Sequence, residues 1–222
     1  MAPFIDIHTH HASTTCCGYS FGIHPWKVTQ ADVDTLETFL REDRIAAIGE
    51  TGIDRLYPDT LSQQLALFER HILLSEAYKK PLIIHNVRAT DLILQTHRKL
   101  HPRQTWIIHG FNGNVAEARQ LIDHGIRLSV GESLFDQHRK ITKTLLSIPL
   151  DSLFFETDTS NKTIQQVYEK ASALLNLPLE QLKEQIFTNF ARLNLNPWMT
   201  GNNAHDCSSA TMALINWNEA TC

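Results

Sequence analysis

Short apolar runs alternate with longer amphipathic segments along most of this chain. Seven of these runs are rich in β-branched or aromatic residues, which is typical of buried strands. They are Phe4–His8, Tyr19–His24, Ile45–Gly49, Leu82–His85, Trp106–His109, Ile126–Val130 and Ser152–Glu156. Because strands that alternate with helices build parallel sheets, this rhythm predicts an α/β fold made of repeated βα units.

The segments between these runs carry apolar residues at helical spacing. The first helix is expected to open near Thr29, where residues 29–32 resemble a capping box. A long amphipathic helix follows from Leu61 and ends near Lys80, before Pro81. Further helices are predicted at Leu92–Leu100, Val115–His124, His138–Ser147, Ile164–Asn176 and Leu179–Leu193.

Length and composition fit one globular domain. The chain has 222 residues, of which 42% are hydrophobic and 20% charged, and no Pro-, Gly- or Ser-rich linker divides it. We expect a single domain over residues 1–199 and a poorly ordered tail over residues 200–222, where no periodicity is evident. The apolar runs are too short to span a bilayer, which favours a cytoplasmic protein without membrane association.

The charge balance and the histidine count narrow the function. With 20 basic and 24 acidic residues, the net charge of −4 argues against a protein that coats nucleic acid, but not against an enzyme that engages a few phosphates. The 12 histidines are the unusual number. Several of these histidines lie at or just after the ends of predicted strands.

Six residues with metal-binding side chains lie at or just after the ends of predicted strands. They are His8, His10, Glu50, His85, His109 and Asp158. In a parallel barrel the carboxyl ends of all strands meet at one mouth, so these side chains are expected to converge there. A His-x-His pair is a weak signal by itself, but independent structural reasons for ending several buried strands in unpaired polar groups are improbable.

A mixed set of imidazoles and carboxylates suits a hydrolytic site with one or two divalent ions. Glu50 has two oxygens with which to bridge two ions, and Asp158 is a candidate ligand that also takes the proton from the attacking water. These two residues are therefore the predicted catalytic pair.

Four further residues near the predicted strand ends have open roles. His24 either contacts substrate phosphate, or acts as an acid, or caps its own loop. Asp54 either orients a metal-bound histidine or caps a loop. Arg88 is the best placed cation for a substrate anion, and Arg55 is the alternative.

These residues stand in strings that resemble the TatD family of metal-dependent hydrolases. The strings are Phe-Ile-Asp-Ile-His-Thr-His at 4–10, Gly-Ile-His-Pro at 22–25, Ala-Ile-Gly-Glu-Thr-Gly-Ile-Asp at 47–54, Pro-Leu-Ile-Ile-His at 81–85, His-Gly-Phe-Asn-Gly at 109–113 and Glu-Thr-Asp at 156–158. The resemblance implies a TIM-like, amidohydrolase-type β/α barrel with one to three divalent ions (Mg, Mn or Zn) and nuclease activity on DNA. It also implies that the six residues named above are the metal ligands and that Asp158 is catalytic.

Three features depart from the family pattern. Only about ten residues separate the His-x-His strand from the Gly-Ile-His-Pro strand, whereas a βα unit needs roughly 30 residues. We therefore expect seven strands and a barrel that is distorted, or open, beside His8 and His10. In addition, residues 159–161 lack the family's proline, and Asn86 and Val87 intervene between His85 and Arg88.

The leading hypothesis is a monomeric, metal-dependent deoxyribonuclease acting on DNA or another phosphodiester through a metal-activated water. Hydrolysis of another ester or amide, such as aminoacyl-tRNA deacylation or a small-molecule amidohydrolase reaction, is the enzymatic alternative. A metal-binding scaffold without turnover is the alternative from a different class. Assays on metal-reloaded protein separate the three.

Overall fold

The fold is a β/α barrel of eight parallel strands. The computed structural model describes residues 2–11, 16–193 and 195, together with the backbone of residues 211–216. The strands are β1 (Phe4–Thr9), β2 (Cys16–Phe21), β3 (Ile45–Asp54), β4 (Leu82–Val87), β5 (Trp106–Ile108), β6 (Arg127–Val130), β7 (Leu153–Phe155) and β8 (Thr211–Asn216). The α-helices of the described residues are α1 (Val33–Leu40), α2 (Leu61–Tyr78), α3 (Thr90–Leu100), α4 (Val115–Asp123), α5 (Ile141–Thr144), α6 (Ile164–Leu175) and α7 (Leu179–Ala191).

The sheet closes on itself at the carboxyl ends of its first and seventh strands. The strand order is β1-β8-β2-β3-β4-β5-β6-β7, and every pairing is parallel. A parallel bridge joins Thr9 to Asp158. The backbone N–H of Asp158 donates to the His8 carbonyl at 3.0 Å, and the N–H of His10 donates to the Asp158 carbonyl at 3.1 Å. The predicted parallel β/α barrel is thereby confirmed.

The expected strand number was wrong, because a strand from the C-terminal segment occupies the place beside β1. Strand β8 lies between β1 and β2, with Phe4 opposite Thr211 and Tyr19 opposite Ile215. It thus fills the gap left by the shortened segment after β1. Residues 211–216 belong to the tail, residues 200–222, for which poor order was expected. The rest of that tail lies outside the described part of the chain. A sheet edge recruits a strand through backbone hydrogen bonds, which no local periodicity reveals.

Local packing corrected several predicted boundaries. Strand β3 continues past Gly49 to Asp54, because residues 51–54 pair with β4, and all ten of its residues are buried. Helix α1 starts at Val33, not near Thr29, since the Asp32 carboxylate caps it by accepting the N–H groups of Asp34 and Thr35. The helix predicted at residues 138–147 is reduced to the short α5. None of the helices in the described ranges is long and apolar enough to cross a membrane.

Strand β1, which carries two candidate ligands, is anchored from outside the barrel by Tyr168 of α6. The buried Tyr168 hydroxyl accepts the Ile5 N–H at 3.1 Å and donates to the Ile5 carbonyl at 3.0 Å. Its ring packs on Phe4 and Phe155, at centroid distances of 5.1 and 4.7 Å. Both polar groups of the Ile5 backbone therefore have a hydrogen-bond partner in Tyr168.

His71 of α2 is a fully buried, neutral histidine that holds the end of β2. Its Nδ1–H donates to the Leu67 carbonyl at 2.8 Å, and its Nε2 accepts the Ile23 N–H at 3.0 Å. Burial lowers the pKa of His71 from 6.5 to about 4, since a charged imidazole would lose its hydration there. The unfolded chain therefore binds a proton at His71 at higher pH than the folded chain does.

We expect this histidine to make the protein acid-sensitive between pH 6.5 and pH 4. As the pH falls through this window, the His71 contribution to the free energy of unfolding drops by roughly 3 kcal/mol. Asp6, whose pKa burial raises to about 7, acts with the opposite sign over part of the same range. The measurement is therefore the difference in urea unfolding free energy between wild type and His71→Gln at each pH. A difference that stays constant from pH 7 to pH 4 would show that His71 is not the titrating group.

Candidate metal centre

All six predicted ligands come together at the carboxyl mouth of the barrel. Strand β1 supplies His8, with His10 directly after its last residue, β3 supplies Glu50, and β4 supplies His85. The other two, His109 and Asp158, follow β5 and β7 directly or within a few residues. A seventh donor, His24, joins them from the loop after β2. The strand-end argument therefore led to the observed cluster, although the metal-binding role of its members stays a prediction.

The Glu50 carboxylate is the centre of the cluster. Its Oε1 lies 2.6 Å from His109 Nε2, 3.1 Å from His85 Nδ1 and 3.3 Å from His24 Nε2. Its Oε2 faces the other side of the site. Imidazole nitrogens thus surround one carboxylate on several sides, an arrangement that suits a carboxylate shared between two metal ions.

The first strand and the last motif complete the other side. Glu50 Oε2 lies 3.4 Å from His8 Nε2 and 3.5 Å from His10 Nε2. The Asp158 Oδ1 lies 3.3 Å from His10 Nε2 and 3.8 Å from His8 Nε2. His8 and His10 therefore keep their convergence with the other donors despite the shortened segment that follows them. Pairing with β8 on one side and the bridge from Thr9 to Asp158 on the other hold β1 in the position that brings these histidines to the other donors.

Three groups of donor atoms are compact enough to hold a cation, each within 4.8 Å. They are His8, His10 and Glu50; His8, His109 and Asp158; and His24, Glu50 and His85. The first two share His8 and lie against β1, whereas the third lies on the opposite side of Glu50. This division matches a site for more than one ion, with Glu50 common to two of the groups.

The spacing of the donors fits ligation better than mutual hydrogen bonding. His8 Nε2 and His10 Nε2 are 3.2 Å apart, and two nitrogens bound to one ion at about 2.1 Å are separated by roughly 3.0 to 3.4 Å. His109 Nε2 lies close to Glu50 Oε1, yet it makes no hydrogen bond within the described residues, because the angle is unsuitable. The residues present therefore fit a divalent ion.

The electrostatics of the cluster keep its carboxylate ionised. Burial by itself would raise the pKa of Glu50, but the charge of His109 and contacts from His10 and His24 lower it well below its usual range. Burial likewise opposes charging of His109, whereas Glu50 and Glu156 raise the pKa of this imidazole well above its usual range. The ionised Glu50 carboxylate thus favours a positive charge beside it, which a charged His109 imidazole supplies. A divalent cation meets the same requirement.

Glu156 is a buried residue of the site to which the sequence argument assigned no role. Its Oε1 accepts the Gly110 N–H at 2.5 Å and lies 3.8 Å from His109 Nδ1, while Oε2 has no hydrogen-bond partner among the described residues. A carboxylate behind a ligating imidazole fixes the ring orientation and tautomer. The available signal was its position two residues before Asp158, directly after the end of β7.

Asp6 and Thr157 form a second buried pair that was not anticipated. The Asp6 carboxyl accepts the Thr157 N–H at 3.0 Å and lies 2.7 Å from the Thr157 hydroxyl, which in turn is 2.8 Å from the Thr9 hydroxyl. This network ties β1 to the residue that directly precedes Asp158. Its function is to hold the two ends of the closed sheet in register.

The structure shows the loop-capping contacts of His24 and Asp54 and places the other polar atom of each side chain against the donor cluster, while their functional roles stay predictions. His24 Nδ1 accepts the Trp26 N–H at 3.2 Å, as a loop cap does, while its Nε2 points to Glu50 and His85. Asp54 Oδ1 caps the turn by accepting the Leu56 N–H at 2.8 Å. Its Oδ2 lies 3.3 Å from His85 Nε2 and accepts the Trp26 indole N–H at 2.8 Å.

The two arginines differ in availability. Arg55 is neutralised by Asp91 through two contacts of 2.7 and 2.6 Å, so it is a poor candidate for a substrate anion. Arg88 is exposed and forms no ion pair within the described residues, but it lies outside the donor cluster. Together with Arg139 and Lys140 it lines an open cavity of about 720 Å³. Arg88, Arg139 and Lys140 form the basic wall of this cavity, which we call the basic cavity.

A second open cavity, of about 510 Å³, connects this basic wall to the cluster. Asp158 and Glu156 line one part of it. It shares Gly110, Asn112 and Arg139 with the basic cavity. A bound molecule can therefore extend from the mouth of the barrel, past Asn112, to the exposed cations.

We expect Asp54→Asn to weaken binding of a divalent ion by about 10- to 100-fold, as loss of an orienting carboxylate usually does. The amide keeps the size of the side chain but removes the charge that faces His85. Titration of metal-free protein with Zn²⁺ or Mn²⁺ gives the affinity. Asp91→Asn is the matched control, because it changes a carboxylate that pairs only with Arg55 in the described residues. Equal affinities in the two variants would contradict the assignment.

Comparisons with known proteins identify the family of this chain. The family model for the TatD related DNase matches residues 7–194. An uncharacterized metal-dependent hydrolase of Haemophilus influenzae is 25% identical over 199 residues, covering 79% of this chain and 76% of its own length. The uncharacterized metal-dependent hydrolase YcfH of Escherichia coli is 28% identical over 193 residues, covering 79% and 72%.

Solved structures extend the likeness to the fold. The TatD homologue YjjV of Escherichia coli superposes with a TM-score of 0.75 at 20% identity, covering 86% of this chain and 97% of that one. A TatD family hydrolase of Entamoeba histolytica gives 0.72 at 16% identity, covering 86% and 98%. Since the family model spans most of the chain, this protein belongs to the TatD related DNase family of metal-dependent hydrolases.

Proposed function

We propose that this hydrolase cleaves phosphodiester bonds in DNA, at strand ends or in short fragments. The observation that carries the proposal is the Glu50 carboxylate with imidazole nitrogens 2.6 to 3.5 Å from its two oxygens, in a buried floor beneath an open cavity. Such a donor set suits two ions that share a carboxylate, an arrangement common in enzymes that cleave phosphodiesters.

The residues that would hold the ions fall on the two sides of Glu50. His8, His10, His109 and Asp158 would serve one position. His24 and His85 serve the other, with Asp54 behind His85. Divalent ions (Mg, Mn or Zn), when bound there, lower the pKa of water and neutralise charge on the scissile phosphate.

Asp158 is the proposed proton acceptor because of its position and exposure. Its side chain is 37% exposed, whereas those of the other cluster residues are at most 16% exposed. It faces the 510 Å³ cavity, where a water and a substrate have room. Backbone hydrogen bonds to His8 and His10 on either side fix it in place. A carboxylate in this position can take a proton from a water that attacks the phosphorus.

The basic wall supports a substrate with several phosphates. In a chain with a net charge of −4, Arg88, Arg139 and Lys140 line one cavity that holds a single carboxylate of its own, Glu117. Arg139 is also paired with Asp136 at 3.4 Å. We assign these cations to phosphates of the substrate other than the scissile one, which they attract without regard to base sequence.

The test is an assay of metal-stripped protein reloaded with Mg²⁺, Mn²⁺ or Zn²⁺ on single-stranded DNA, bis(p-nitrophenyl) phosphate and an acyl ester. We expect turnover of both phosphodiesters and none without metal. Asp158→Asn should lower kcat about 100- to 10,000-fold, the usual effect of losing a general base. Asparagine also tolerates the left-handed backbone at this position (φ 51°). The exposed Asp151→Asn is the control.

The alternatives give different results in the same assay. Turnover of the acyl ester alone would support hydrolysis of another ester or amide and would contradict the proposed phosphodiesterase activity. Ion binding without turnover on any substrate would support a metal-binding scaffold.

A further inference from the structure

Two aromatic side chains lie exposed at the mouth of the barrel beside the cluster. Trp26 is 57% exposed and Tyr57 is 46% exposed. Their ring centroids are 5.5 Å apart, with an interplanar angle of 43°. Trp26 comes from the turn after His24, and Tyr57 comes from the loop that follows β3. The tertiary structure, and not the sequence order, makes them neighbours.

The Trp26 ring is held in place although it is exposed. Its indole N–H donates to Asp54 Oδ2 at 2.8 Å. Its centroid lies 4.6 Å from the His24 ring and 5.9 Å from the His85 ring, both members of one candidate ion-binding group. A ligand that packs on this ring does not have to immobilise it. The ring is thus a preorganised apolar surface next to the reacting centre.

The chemistry of the surroundings selects the kind of ligand that fits this surface. The cluster and the cations of the basic cavity suit binding of an anionic diester, while the two rings suit packing against a flat group with a π-face. In a nucleic acid these two features are joined, since each phosphate carries a nucleoside on either side. Bases of single strands stack on aromatic side chains with little regard to sequence.

We propose that Trp26 and Tyr57 form a stacking site for the nucleobase next to the scissile phosphate. The base packs on the exposed face of Trp26 and its edge contacts the tilted Tyr57 ring. This inference rests on the proposed function, since it names the part of a DNA substrate that lies on this side of the cluster. A double helix shields its base faces, so the site favours single-stranded or frayed ends.

The test of the proposal is to measure the affinity of the protein for two fluorescein-labelled DNA strands, each six nucleotides long. One is phosphorothioate hexathymidylate, and the other has the same backbone with abasic sugars, so both resist cleavage by the metal-loaded protein. We expect the wild type to bind the strand with bases at least about fivefold more tightly, the lower end of the effect of one stacked base. Tyr57→Ala and Trp26→Ala should each reduce this preference, and the double variant should abolish it.

The control is Leu73→Ala, which removes a similarly exposed apolar side chain (55%) from α2, outside both cavities, but no ring. It should keep the preference for bases. Tyr57→Ala keeps the proposal testable if Trp26→Ala disturbs Asp54, because the Tyr57 side chain contacts none of the candidate ligands in the described residues. A wild type without preference, or a double variant that retains it, would overturn the proposal. Turnover of bis(p-nitrophenyl) phosphate by the wild type decides the proposed function separately.

Discussion

Glu50→Gln is expected to abolish turnover and to prevent stable occupation of the site by divalent ions. The amide has nearly the same shape, but it removes the negative charge and directs an NH₂ group at imidazoles that now face a carboxylate oxygen. Because five imidazole nitrogens surround this side chain at 2.6 to 3.5 Å, both sides of the site lose a ligand. We expect kcat on a phosphodiester to fall at least about 1,000-fold, which corresponds to roughly 4 kcal/mol of transition-state stabilisation.

The measurements are metal content after dialysis, by mass spectrometry, and steady-state kinetics at saturating metal. Glu169→Gln, on an exposed face of α6, is the matched control and should change neither quantity. Thermal unfolding of the metal-free variant shows whether the fold is intact. A folded Glu50→Gln protein with wild-type metal content and turnover would refute the central role of this carboxylate.

Removal of residues 200–222 is expected to destabilise the barrel and to weaken metal binding. Without β8, the strands β1 and β2 lose their backbone ladders on one side, and the closed sheet becomes an open one. Several backbone hydrogen bonds at about 1 kcal/mol each give an expected loss of at least ~3 kcal/mol in the free energy of unfolding. Since β1 carries His8 and His10, we expect the affinity for divalent ions to fall at least tenfold.

A shorter deletion separates loss of the strand from loss of length. Removal of residues 217–222 leaves β8 in place and should preserve stability and metal affinity. Leu214→Pro keeps the full length but removes one backbone donor within β8, and should reproduce part of the loss. Urea unfolding and ion titration measure both effects. If the long deletion matched the wild type in both, β8 would not be needed for closure.

Most of the site was predictable because its ligands obey a local rule. Each of Glu50, His85 and His109 directly follows or ends an apolar run of the sequence, and parallel strands bring their carboxyl ends to one mouth. The same rule identified His8 and His10, although the shortened segment after them left their geometry open. For His24 and Asp54 the structure shows the predicted loop caps and places both side chains against the cluster, while their functional roles stay predictions.

The features that were missed depend on partners distant in the chain. The buried acid Asp6 meets Thr157, 151 residues away, and Glu156 meets Gly110, 46 residues away. Arg55 seemed available from its position in the loop, yet Asp91 of α3 neutralises it. No periodicity records such contacts, because each is a pairing of single polar groups and not a repeated pattern.

The alternation of strands and helices and the chemical identity of the donors after the apolar runs can both be read from the amino-acid sequence. Both follow from burial, since a strand enclosed on two faces must be apolar and a polar residue at its end must find a partner. The tertiary structure alone decided how the barrel closes, with β8 inserted between β1 and β2, and which groups lie behind the ligands. Strand insertion uses backbone hydrogen bonds that every residue offers, so only the spatial arrangement of the chain selects the segment that makes them.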